Sequence, residues 1–186
     1  MCSRERVGTK VVYPARSVYR ADETLRTNGL DRYPRQSPIV NHGFRATLFL
    51  WGETTVIRVL VVDDEKQYCE NLSLCLTGEG YEVATACTSD EAIDLGKDFC
   101  PDVLVADWML RSDDDGLDVS RCLRSQLPKL ETVLITGYPS IELHADARRS
   151  NVFEVLEKPF ELDDLLSVVQ YAARSSDAGG PNRDRP

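Results

Sequence analysis

A doubly wound α/β domain, with a five-stranded parallel sheet and helices on both faces, is the fold that this sequence predicts over residues 57–174. Two observations carry it. Five short apolar runs alternate with amphipathic segments, which is the pattern of repeated strand–helix units and parallel pairing. Four of the five runs are nearly continuously apolar, as strands covered by helices on both sides must be.

The first run, Ile57-Arg58-Val59-Leu60-Val61-Val62, is rich in β-branched residues and ends at Asp63-Asp64-Glu65. A helix follows from Lys66 to Leu76, with Tyr68, Leu72, Cys75 and Leu76 on one face and Gly78 as its stop. The second run is residues 81–86. Thr88 and Glu91 then fit a capping box that opens a helix to about Lys97. The third run, residues 102–106, leads into Asp107, and a helix from Leu117 to about Gln126 is ended by Pro128. The fourth, residues 132–135, leads into Thr136-Gly137 and a weakly patterned helix over Ile141 to Arg149. The fifth, residues 152–156, leads into Glu157-Lys158-Pro159. The last helix, Glu161 to Arg174, carries Asp163 and Asp164 in its first turn, where they suit the helix dipole, and is expected to bury Leu162, Leu165, Leu166, Val169 and Tyr171 or Ala172.

The flanks read differently. Residues 1–56 form an N-terminal extension without clear periodicity, broken by Pro14, Pro34 and Pro38, while 175–186 lack large apolar side chains and read as a disordered tail. The extension carries nine Lys/Arg against five Asp/Glu, and residues 57–174 carry eleven against twenty-four. An acidic body of that kind repels phosphate backbones, so direct nucleic-acid binding is not expected. No run approaches the ~20 apolar residues of a membrane span, and the nearest candidate, residues 47–51, is far too short. The N-terminus has no apolar run of a secretory signal, and the expected location is the cytoplasm. Six cysteines without a CxxC pair read as reduced, mostly buried thiols. His42 and His144 have no partner at metal-ligand spacing.

In an open parallel sheet, ligands gather at the carboxyl ends of the strands, near the reversal of strand order. Those ends carry Asp63 and Asp64, then Asp107, Thr136 and Lys158. Each alone is ordinary, since Asp at a strand end commonly caps a helix and Lys-Pro commonly turns. Together they bring three carboxylates, a hydroxyl and an ammonium to one rim. One lysine cannot neutralise three crowded carboxylates, whereas Mg²⁺ takes hard oxygen ligands and keeps positions for water and phosphate. A carboxylate so placed is a competent phosphoryl acceptor.

Residues 57–174 resemble the receiver domain of two-component response regulators, through Val61-Val62-Asp63-Asp64-Glu65, Val105-Ala106-Asp107-Trp108-Met109, Leu134-Ile135-Thr136-Gly137-Tyr138 and Leu156-Glu157-Lys158-Pro159-Phe160. The resemblance implies the flavodoxin-like receiver fold, with Asp107 as phosphoacceptor. It implies Asp64 as a direct Mg²⁺ ligand, Asp63 acting mainly through a metal-bound water, and the Met109 backbone carbonyl completing the protein ligands. Thr136 and Lys158 would each bind a phosphoryl oxygen. Two positions depart from the family pattern: Val155 stands where many receivers have an aromatic residue, with Tyr138 as a partial substitute, and the loop after Asp107 lacks Met-Pro. Its Asp113-Asp114-Asp115 run reads as a solvated loop rather than a second metal site.

The function implied is a phosphorylation switch. It would take its phosphoryl group from a sensor histidine kinase or a histidine phosphotransfer protein and signal to a downstream protein target. With no further globular pattern after Arg174, the chain reads as a stand-alone receiver that catalyses only its own phosphorylation and dephosphorylation. The alternative is a receiver-like interaction module that works without phosphorylation. A phosphohydrolase with an Asp nucleophile would call for Asp-x-Asp after the first strand, where this chain has Glu65 at the second position.

Overall fold

Valine and leucine fill the central strands because every position there meets a helix layer on one side or the other, and branched side chains suit a pleated surface. The computed structural model describes residues 47–50, 53–110 and 115–177. Its strands are β1 (Thr47–Leu50), β2 (Glu53–Val56), β3 (Arg58–Val62), β4 (Glu82–Ala86), β5 (Val103–Asp107), β6 (Glu131–Thr136) and β7 (Glu154–Glu157). Its helices are α1 (Lys66–Gly78), α2 (Ser89–Phe99), α3 (Gly116–Gln126), α4 (Ile141–Arg149) and α5 (Leu162–Asp177). All of them lie in the second of the two units into which the chain divides, Ile39–Pro186.

The five-stranded parallel sheet runs in the order β4-β3-β5-β6-β7, the doubly wound architecture expected. From β3 the chain moves outward to β4 and then crosses back to β5. Strand order therefore reverses between β3 and β5, and a crevice opens at their carboxyl ends. Register places Val62 beside Ala106, Asp107 beside Ile135 and Thr136 beside Glu157, so the residues that follow these strands share one rim.

Alternation along the strands splits the core in two. Leu60, Val62, Leu104, Ala106 and Leu134 pack with Ala92, Leu117, Val119, Leu123, Leu143 and Ala147 of α2, α3 and α4. Val59, Val61, Val103, Val105, Val133 and Ile135 are equally inaccessible and face the layer made by α1 and α5. Each such side chain contributes about 2 kcal/mol through burial.

Local signals set most helix ends. Thr88 Oγ1 accepts the Glu91 N–H at 3.2 Å, but the Glu91 carboxylate reaches the N–H of Cys87 at 2.8 Å rather than that of Thr88. Asp115 caps α3 through the N–H groups of Leu117 and Asp118, and the Asp118 carboxylate returns to the Asp115 N–H. Ser140 Oγ caps α4, whose predicted limits hold.

Some expectations change. Gly78 is the last residue of α1, and Gly80 supplies the left-handed turn at φ 91°. On α1, Cys69 is buried beside Leu72 and Leu76, whereas Tyr68 and Cys75 are half-buried. Leu162 is exposed at the start of α5, whose buried face is Leu165, Val168, Val169, Ala172 and Ala173. That helix continues to Asp177, into the segment read as a tail. Residues 47–56, read within an irregular extension, hold the antiparallel pair β1–β2, with Thr47 opposite Val56 and Leu50 opposite Glu53; four residues per strand are too few to show a period. The rest of the extension, 1–46 and 51–52, and residues 178–186 lie outside the described residues. Of the free cysteines Cys69, Cys75, Cys87 and Cys122 only Cys69 is fully buried, so the expectation of mostly buried thiols is corrected; Cys2 lies outside the described residues.

Candidate functional site

Asp63 follows β3 directly and is 1% exposed. Its Oδ1 accepts the Glu65 N–H at 2.9 Å, an Asx turn that swings the chain from the sheet into α1. Asp64, beside it, is half-buried. Asp107 is the last residue of β5, and its Oδ1 accepts the Met109 N–H at 3.1 Å. The next residue is pinned by its own N–H, which Trp108 donates to the Ile135 carbonyl at 2.8 Å.

Lys158 comes immediately after β7, and its N–H donates to the Thr136 carbonyl at 2.7 Å. Its Nζ reaches across two strands, to Asp107 Oδ2 at 2.7 Å and to Asp63 Oδ2 at 2.9 Å. Carboxylate oxygens of Asp63, Asp64 and Asp107 all lie within 4.8 Å of one another. Thr136 is fully buried, and its Oγ1 accepts the Tyr138 N–H at 3.0 Å. The fold thus draws Asp63, Asp64, Asp107 and Lys158 into one cluster and ties Thr136 to it through the Lys158 backbone.

Charge in this cluster is unbalanced. Burial pushes the Asp63 carboxyl above its ordinary value; the Lys158 hydrogen bond and the Glu65 N–H oppose the shift, and the Asp107 charge adds to it. For Lys158 burial disfavours the ammonium, but hydrogen bonds to Asp107 and Asp63 outweigh it and raise the pKa. Two carboxylates share one ammonium with a third carboxylate adjacent, and like charges at such spacing repel by about 3 kcal/mol at an effective dielectric near 20. An all-oxygen donor set with excess negative charge fits a hard divalent cation.

Two residues at the site escaped sequence reasoning. Gly116 opens α3 with its N–H donated to Trp108 O at 3.1 Å, and a Cβ there would stand 2.1 Å from the Asp107 carbonyl oxygen. Tyr68, assigned from periodicity to a core face, places its ring 4.2 Å from Lys158 Nζ. An aromatic residue in the first turn after an acidic pair was the available signal. Met109 and Tyr138 are exposed, at 56% and 76%. Val155 packs, half-buried, against the core beneath α2, α3 and α4. His144 lies on α4 with Nε2 3.5 Å from Glu157 Oε1. Of the acidic loop run, Asp113 and Asp114 lie outside the described residues, and Asp115 serves as the cap of α3.

A parallel sheet in this order, with three carboxylates and a lysine at its switch point, is the architecture of a receiver domain. The family model of the response regulator receiver domain matches residues 59–170, and the chain belongs to that family. It is 33% identical over 119 residues to the regulatory protein AtoC of Escherichia coli, a match that covers 64% of this chain and 26% of AtoC. The chain therefore spans about a quarter of that relative. Among solved structures, a CheY-like receiver domain protein from Methanospirillum hungatei superposes with TM-score 0.64 at 24% identity, over 68% of this chain and all of that one, and shares the fold. A response regulator protein from Burkholderia pseudomallei, solved with a phosphorylated aspartic acid, a calcium ion and citrate, is 28% identical with TM-score 0.58, over 66% of this chain and 71% of its own.

Proposed function

We propose that this receiver accepts a phosphoryl group on Asp107 from a phosphohistidine donor, a sensor histidine kinase or a histidine phosphotransfer protein, and passes the signal to a protein target. One observation carries the reading: the Lys158 ammonium sits between Asp107 Oδ2 and Asp63 Oδ2, with Asp64 adjacent. The phosphorylated aspartic acid of the Burkholderia pseudomallei relative supports it.

In the transfer, an Asp107 carboxylate oxygen forms the new bond to phosphorus while the donor's N–P bond breaks and the imidazole leaves. Met109 N–H, already on Oδ1, orients the carboxylate so that Oδ2 is the attacking atom. Lys158 is in contact with that oxygen and is placed to transfer its hydrogen bond to a phosphoryl oxygen as charge develops there. Thr136 Oγ1 accepts from Tyr138 and keeps its own proton to donate to a second phosphoryl oxygen. Asp63 and Asp64, with Asp107 and the Met109 carbonyl, would hold Mg²⁺, which when bound neutralises their charge and that of the incoming phosphoryl group. The domain acts on itself and turns over no separate substrate. Among the described residues no helix is long and apolar enough to cross a membrane, and the working location proposed is the cytoplasm.

Incubation with acetyl phosphate and Mg²⁺ tests the reading. The wild-type chain should gain the mass of one phosphoryl group, and Asp107→Asn should not. An unlabelled wild type would sink the proposal and leave the phosphorylation-independent interaction module in its place.

A further inference from the structure

Tyr68 lies in the first turn of α1, where its N–H donates to the Glu65 carbonyl at 2.8 Å. Its half-buried ring turns toward the acidic crevice, and Lys158 Nζ stands 4.2 Å from the ring centroid. The ammonium is thereby enclosed on three sides, by Asp107 Oδ2, by Asp63 Oδ2 and by the aromatic face. A cation over a π face is drawn by the ring quadrupole, more strongly as water is withdrawn, and here the lysine side chain is only 25% exposed. Burial raises the Tyr68 hydroxyl above its ordinary pKa, so the phenol stays neutral and adds no charge to the cluster.

Lysine has a flexible four-carbon stem, and an ammonium held by hydrogen bonds alone has solvent-facing rotamers open to it. The Asp107 contact also weakens during transfer, because that carboxylate gives up its charge to the new bond. The ring contact does not depend on that charge. We propose that Tyr68 is a positioning residue for phosphoryl transfer, its ring face keeping the Lys158 ammonium over the crevice while Asp107 is being modified. The assignment rests on the phosphoryl-acceptor reading above.

The experiment compares acetyl phosphate labelling rates, at saturating donor and Mg²⁺, for wild type, Tyr68→Phe and Tyr68→Leu. Phe keeps the π face and should label within about twofold of wild type; Leu keeps apolar bulk without the face and should be slower by roughly three- to thirty-fold. A metal-free readout accompanies it: the Lys158 side-chain methylene protons, shielded by the ring current in wild type and in Tyr68→Phe, should move downfield in Tyr68→Leu. If Tyr68→Leu does not fold, pentafluorophenylalanine at position 68 carries the same test, because it keeps the ring shape and reverses the quadrupole. Labelling of Tyr68→Leu or of the fluorinated chain at the wild-type rate overturns the assignment alone. A wild-type chain that takes no phosphoryl group overturns the reaction and the assignment with it.

Discussion

Replacing Gly116 by Ala separates two opposed forces. Gly116 is the first residue of α3, where alanine is favoured over glycine by up to ~1 kcal/mol on helix propensity. Propensity alone therefore forecasts a gain. The added Cβ, however, would stand 2.1 Å from the Asp107 carbonyl oxygen, 3.0 Å from its carbon and 3.2 Å from Ala106 Cβ. The obstacle is strand backbone, held in register by the pairing of Asp107 with Ile135 and by the Trp108 N–H on the Ile135 carbonyl. No side-chain rotation relieves such a contact, so β5 or α3 must move. Overpacking costs about 1–3 kcal/mol, with backbone obstacles toward the upper end, and after the propensity gain a net loss of about 2 kcal/mol is expected. Urea denaturation without divalent cations measures it, with Gly78→Ala as control, since a Cβ at that position meets nothing within 4 Å. The displaced atom belongs to Asp107, the proposed phosphoacceptor, so Gly116→Ala should also label more slowly with acetyl phosphate. A Gly116→Ala chain as stable as wild type, or a Gly78→Ala chain that loses as much, refutes the steric argument.

Further outcomes follow from the charges and from burial. Lys158→Met leaves Asp63 and Asp107 without their shared ammonium and should cost about 2–3 kcal/mol at neutral pH. Adding millimolar Mg²⁺ should stabilise this variant more than wild type in thermal melts, and an equal response would count against cation binding by the cluster. At alkaline pH, Tyr81 is pushed up to about 12 by burial, with Glu79 adding to the shift. The unfolded phenol ionises near 10 while the folded one keeps its proton, so its contribution is present below pH 10 and lost as pH rises to about 12. That loss amounts to about 2–3 kcal/mol, and Tyr81→Phe should flatten this part of the stability curve; an unchanged alkaline limb in the variant would remove Tyr81 as its cause.

Strands β3, β5 and β6 and the rim they carry are legible in the chain itself, because a strand buried on both faces must be continuously apolar, and a carboxylate at its end then stands out. Capping by Thr88 is legible for a related reason, since the partner N–H lies three residues away. The β1–β2 pair is not, its strands being too short to show a period. Tyr68 shows where periodicity runs out: spacing on α1 tells which side of the helix turns inward, but not whether the neighbour there is core or crevice. Lys158 touches residues 95 and 51 positions earlier in the chain, and only the crossover that seats β5 beside β3 makes those contacts possible. Composition and periodicity thus dictate which groups arrive at the strand ends, because burial and helix geometry act over a few residues. How those groups share one ammonium, and why a glycine must sit against Asp107, depends on distances between segments remote in sequence, which exist only once the sheet has closed.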